Sequence, residues 1–129
     1  MEKVVTMQQI VDFREVAQRF REQVVPLQGA YKLMKISNNL DKDMEFYSNK
    51  FQEIINTYGE RKEDGTFKFS EDNSQIIIKE GMIEECNKAI EDLLGMEVKV
   101  DNLNFTIENL GDNIECTPED LESLLPFLN

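Results

Sequence analysis

The chain has no histidine and no tryptophan among its 129 residues, and it has only two cysteines and three prolines. No apolar run approaches the ~18 residues of a membrane span, so no membrane partner is expected. Missing histidine removes the commonest general base and metal ligand, and missing tryptophan removes the best cation-binding ring. Most enzyme mechanisms are thereby disfavoured. The six glycines occur singly, which excludes a glycine-rich phosphate loop. Cys86 on a helix face and Cys116 in a loop fit no metal spacing; they read as a core residue and an incidental one, with no disulfide. The opening MEKVVTMQQ lacks the apolar centre of a signal peptide, so a cytosolic protein is expected.

What is present in excess is acid. Residues 1 to 58 hold eight basic and eight acidic side chains, whereas residues 59 to 129 hold six basic and eighteen acidic ones, so the whole net charge of −12 lies after Tyr58. Length and a 40% hydrophobic content suit a single domain over 1–129, divided into a helical hairpin (1–58) and an acidic α+β part (59–129).

Apolar spacing predicts the elements. Thr6 and Gln9 form a capping box, and Ile10, Phe13, Ala17, Phe20 and Val24 recur at three and four, giving a helix from about Met7 to Val24. Pro26 ends it. A second helix is then expected from Pro26 or Leu27 to Tyr58, with heptad rows Leu33, Leu40, Tyr47, Ile54 and Ala30, Met44, Phe51, Tyr58, and Ser37 as the polar gap. At 1.5 Å per residue it would be roughly 48 Å long against about 27 Å for the first. One end of its seam, residues Leu40, Met44, Tyr47, Phe51, Ile54 and Tyr58, must therefore pack on the C-terminal part or on another chain.

The segment YGERKEDG, Tyr58 to Gly65, reads as punctuation: Gly59 as a left-handed helix cap and Asp64-Gly65 as a turn. Neither KEDGTFKFSEDN nor DKDMEF has the ligand order of a calcium loop. A hairpin follows, with Phe67 and Phe69 on one arm and Gln75 to Ile78 on the other, turning through Ser70 to Ser74. Met82, Ile83, Cys86, Ala89, Ile90, Leu93 and Leu94 define a third helix from about Glu80 to Gly95. Alternation then predicts strands at Met96 to Val100 and Leu103 to Ile107. Thr117-Pro118-Glu119-Asp120 opens a C-terminal helix with an N-cap, a proline at the first position and an acidic first turn. The fold class is α+β.

The motifs P-x-x-x-AYKLMKI (Pro26 to Ile36), YGERKEDG, EVKV (Glu97 to Val100) and TPEDLESLLPF (Thr117 to Phe127) resemble those of small proteins of phages and prophages of Gram-positive bacteria that carry a domain of unknown function. The likeness covers most of the chain from Pro26 onward, and the isoleucine arm at Ile76 to Ile78 departs from the simple helix expected there. It implies a phage-encoded accessory protein in the bacterial host cytoplasm or in the virion, and it transfers no catalytic residue and no cofactor.

Tyr47, Tyr58 and Cys86 fall on apolar stripes with no partner base at a recognisable spacing, so core packing is favoured over catalysis. Direct nucleic-acid binding is disfavoured because Arg14, Arg19, Arg21, Lys32, Lys35 and Lys42 are interleaved with acids. Two binding functions remain. One is a structural or assembly factor whose seam docks on itself, as a homo-oligomer, or on a phage structural protein. The other is an anti-CRISPR-like inhibitor that sets Glu80, Glu84, Glu85, Glu91 and Asp92, with Glu119, Asp120 and Glu122, in place of DNA phosphates on a host defence nuclease. Carboxylates one helical turn apart lie about 6 Å from each other, close to a phosphate spacing.

Overall fold

The structure, a computed structural model, describes residues 1–129 and has an α+β fold of five helices and a two-stranded antiparallel sheet. Its chain divides into two compact units, Met1–Glu45 with Gly95–Asn129, and Phe46–Leu94. The junctions fall within a helix and just after another, not at residue 58.

In the first unit β1 (Glu2–Thr6) pairs antiparallel with β2 (Glu97–Asp101), Val4 opposite Lys99 and Val5 opposite Val98. β1 was not expected from its five residues, because its pairing partner lies about ninety-five positions away. Thr6 ends the strand and caps α1 (Met7–Phe20): the Gln9 amide donates to Thr6 Oγ1 at 3.2 Å and the Thr6 amide to Gln9 Oε1 at 2.9 Å. The face of α1 formed by Met7, Ile10, Phe13, Val16, Ala17 and Phe20 is buried.

α1 stops at Phe20 and not at Val24, which is 77% exposed. The next amides donate three residues back and not four, and the Gln23 side chain grips the backbone of Glu115 with bonds of 2.6 and 3.1 Å. The predicted second helix is two, α2 (Leu27–Asn39) and α3 (Asp41–Tyr58). At Leu40 (φ −90°, ψ −1°) the helical hydrogen bonding is interrupted, with the amide donating three residues back to Ser37 O and the side chain buried. Arg14 donates to that same Ser37 carbonyl at 2.6 Å and pairs with Asp41, so a contact from α1 holds the break. Asp41 and Asp43 then favour the new N-terminus electrostatically.

β2 is followed by a left-handed pair, Leu103 (φ 52°) and Asn104 (φ 55°), so the strand expected at Leu103 to Ile107 does not form. Asn102 explains the turn. Fully buried, it donates from Nδ2 to Phe127 O at 2.9 Å and accepts the Asn104 amide at 3.3 Å. Phe105 is then drawn into the core, and Ile107–Leu110 makes one 3-10 turn. α5 (Pro118–Leu124) carries the predicted Thr117 cap, and Phe127 beyond it stacks on Phe13 with centroids 4.1 Å apart.

The second unit contains most of α3, three extended segments and α4 (Ile83–Leu94). The expected hairpin is present as the bridge Phe69 to Ile76, with Ser70 N–H donating to Gln75 O. It belongs to a closed three-way exchange: Glu60 N–H donates to Ile77 O (2.8 Å), Ile77 N–H to Lys68 O (2.9 Å), and Lys68 N–H to Glu60 O (2.8 Å). Glu60 to Lys62 are thus one arm of a paired backbone and not a solvated connection; only Glu63 to Gly65 form the turn. Gly59 is no left-handed cap either, since its φ is not positive. A Cβ there would meet Ile55 O at 2.7 Å and the Phe67 ring at 2.9 Å. α4 starts at Ile83, because Gly81 adopts φ +81° before it, and this leaves Glu80 in the preceding turn.

Candidate functional site

The seam residues do not share one environment. Leu40 is buried at the α2–α3 break in the first unit. Met44, Tyr47, Phe51, Ile54 and Tyr58 are only half-buried, and α3 is a helix of 18 residues with no fully buried side chain. Tyr47 and Phe51 lie one turn apart with ring centroids 5.9 Å from each other, while Phe46 is exposed beneath the Lys50 ammonium, 5.9 Å from its ring. An amphipathic stripe is present; its coverage is incomplete.

The rest of the second unit is similarly open. Its only buried residues are Gly59, Cys86 and Leu93, whereas Phe69, Ile77, Met82 and Ile83 are exposed. Polar contacts hold its turns in place. Asp72 accepts from both the Ser70 and Ser74 hydroxyls (2.6 and 2.7 Å) and from the Ser74 amide, and these bonds lower its carboxyl from the usual 3.8 to about 2. Asp64 repeats the pattern on Thr66, whose hydroxyl and amide lower its value. The Arg61 guanidinium covers the Phe67 ring at 4.1 Å. Both loops are held by their own side chains.

The predicted acidic residues fall on both units. Glu84, Glu85, Glu91 and Asp92 are exposed on α4, with Asp92 4.0 Å from Lys88, and Glu80 lies before the helix. Glu119 and Glu122 are exposed on α5 in the other unit, where they line a polar depression with Asp12, Glu15 and Arg19. Asp120 is buried and unavailable as a surface phosphate mimic. Burial acts to raise its carboxyl, yet the Arg19 guanidinium at 2.6 Å and the Thr117 amide prevail and lower it. Its work is to cap α5 and tie that helix to α1. The T-x-x-D spacing from Thr117 is the sequence signal that sets this carboxylate apart as a cap, whereas its pairing with Arg19, 101 positions away, has no local signal.

Cys86 is buried and Cys116 exposed, and both thiols are raised, chiefly by desolvation. A raised thiol is the reverse of what an activated nucleophile needs. No group of three or more Asp, Glu or Cys side chains is arranged to hold a metal ion. No helix is long and apolar enough to cross a membrane. No protein-family model, curated protein or solved structure matches this chain.

Proposed function

We propose that this protein is a non-enzymatic, phage-encoded interaction factor with a structural or assembly role in the host cytoplasm or virion. The phage origin rests on the sequence resemblance alone; the observation that supports an interaction role is α3, which carries Tyr47, Phe51, Ile54 and Tyr58 along one stripe and buries none of them fully. A half-covered apolar stripe gains by docking, and the occupant we favour is the same stripe of a second copy. The partner surface then has matching length and spacing by symmetry.

Sedimentation velocity of the wild type and of Phe51→Ala with Ile54→Ala tests this. Each truncation should cost the folded chain only ~1 to 2 kcal/mol, since these side chains are half-buried, and the double variant should lose self-association first. A wild type that stays monomeric at all concentrations removes the self-docking reading.

A second reading rests on the exposure of the four carboxylates Glu84, Glu85, Glu91 and Asp92 on α4, which would face a basic groove on a host defence nuclease. Reversing Glu84, Glu85, Glu91 and Asp92 to Lys should then abolish nuclease inhibition, and wild-type binding should weaken steeply between ~50 and ~200 mM salt. A flat salt response with unchanged affinity in the reversed variant eliminates it.

A further inference from the structure

Between α1 and α2 the first unit contains an open groove of about 330 Å³ whose walls are apolar: Ala17, Phe20, Val25, Ala30, Leu33 and Met34. Arg21 and Ser37 line this groove and also the adjoining polar depression of Arg14, Gln18, Asn38 and Asp41, so they stand on the margin where the two meet. Of the other polar groups nearby, Gln18 and Asn38 are uncharged and line only the adjoining depression, and the charged ones, with Gln23, are already committed. Arg14 holds Ser37 O and Asp41, and Gln23 holds the Glu115 backbone. Arg21, the residue that caps the C-terminus of α1, has neither an ion pair nor a side-chain hydrogen bond, in contrast to Arg14 and Arg19 within that helix, and the Ser37 hydroxyl also has no partner. An uncompensated cation at the lip of an apolar groove is complementary to an anion carried on an apolar chain.

We propose that this groove binds a small amphiphilic carboxylate, with its chain against Phe20, Val25, Leu33 and Met34 and its carboxylate on the Arg21 guanidinium and Ser37 hydroxyl. Arginine suits the role because its planar fork can engage both carboxylate oxygens. The volume favours a small ligand over a docked helix. Sites for small molecules begin near ~300 Å³, whereas a helix inserts a series of anchors along two turns. Every residue of the site lies in the first unit, so the proposal does not depend on the α3 stripe.

The test is a ¹⁵N chemical-shift titration of the full chain with decanoate below its micelle concentration, with decyltrimethylammonium as the cation of matched chain length. Decanoate should give saturable shifts confined to residues 17 to 37, and the cation should not. Arg21→Gln, an exposed position, should weaken decanoate about tenfold, the effect of losing a charge-assisted hydrogen bond. Ala30→Phe, which fills the groove from an exposed helix position, should abolish binding. Three outcomes overturn the proposal: no saturable shifts at the groove, equal binding of the cation, or unchanged affinity in Arg21→Gln.

Discussion

Gly29 lies in the first turn of α2 and is buried, a position where most proteins would gain from alanine. In an open helix that exchange stabilises by up to ~1 kcal/mol, because alanine loses less backbone entropy on folding. Here the sign should reverse. A Cβ on Gly29 would overlap the carbonyl oxygen of Asn109, stand 2.7 Å from its carbon and touch Val25 Cγ1 at 3.1 Å. The obstructing atoms are backbone and cannot rotate away. Relief requires α2 to lift from the 3-10 turn Ile107–Leu110, whose Thr106–Asn109 cap and Lys32–Asn109 contact (3.4 Å) would move with it. Overpacking of this kind costs ~1 to 3 kcal/mol or more, which exceeds the propensity gain. Gly29→Ala should therefore destabilise by ~1 to 2 kcal/mol net in urea unfolding at unchanged m, with a fall of several degrees in Tm, and amide shifts should concentrate at residues 106 to 111. Gln28→Ala, exposed on the same turn, is the control and should be neutral or slightly stabilising. If Gly29→Ala melts at or above the wild type, the close approach of α2 to Asn109 is wrong.

Gly59 separates a steric requirement from a conformational one. Both Gly59→Ala and Gly59→Asn should destabilise, Asn the more, because the Phe67 ring and Ile55 O occupy the space beside its Cα; thermal melts in which Asn is the best tolerated residue would restore the left-handed cap. Asp72 provides a pH test. Its folded value, about 2, lies below its unfolded 3.8, so the stabilisation from its serine bonds is present above about pH 4 and is lost as pH falls toward 2. Carboxyl ¹³C titration should give a midpoint near 2 in the wild type and a higher one in Ser70→Ala with Ser74→Ala; a wild-type midpoint near 3.8 would contradict the loop geometry.

The elements legible in the amino-acid sequence are those whose cause is local. The Thr6–Gln9 capping box, the Thr117 N-cap, Pro118 at the first position of α5, the apolar face of α1 from Ile10 to Phe20 and the turn through Ser70 to Ser74 all follow from groups within a few residues of one another, and each is found where its spacing places it. Tertiary structure decided the rest, because the deciding partner is distant in the chain. β1 exists through its register with β2, the break at Leu40 is held by Arg14 on another helix, and Asn102 turns the chain by reaching Phe127 O. Heptad spacing shows a stripe on α3, but only the surrounding chain sets how much of it is covered. Asp120 and Glu122 are both carboxylates of α5, yet the Thr117 cap and the Arg19 guanidinium at 2.6 Å make one a buried clasp, while the other is in solvent. Local spacing determines which helices and turns form; long-range contact determines where they stop, and which charged or apolar groups remain free to bind.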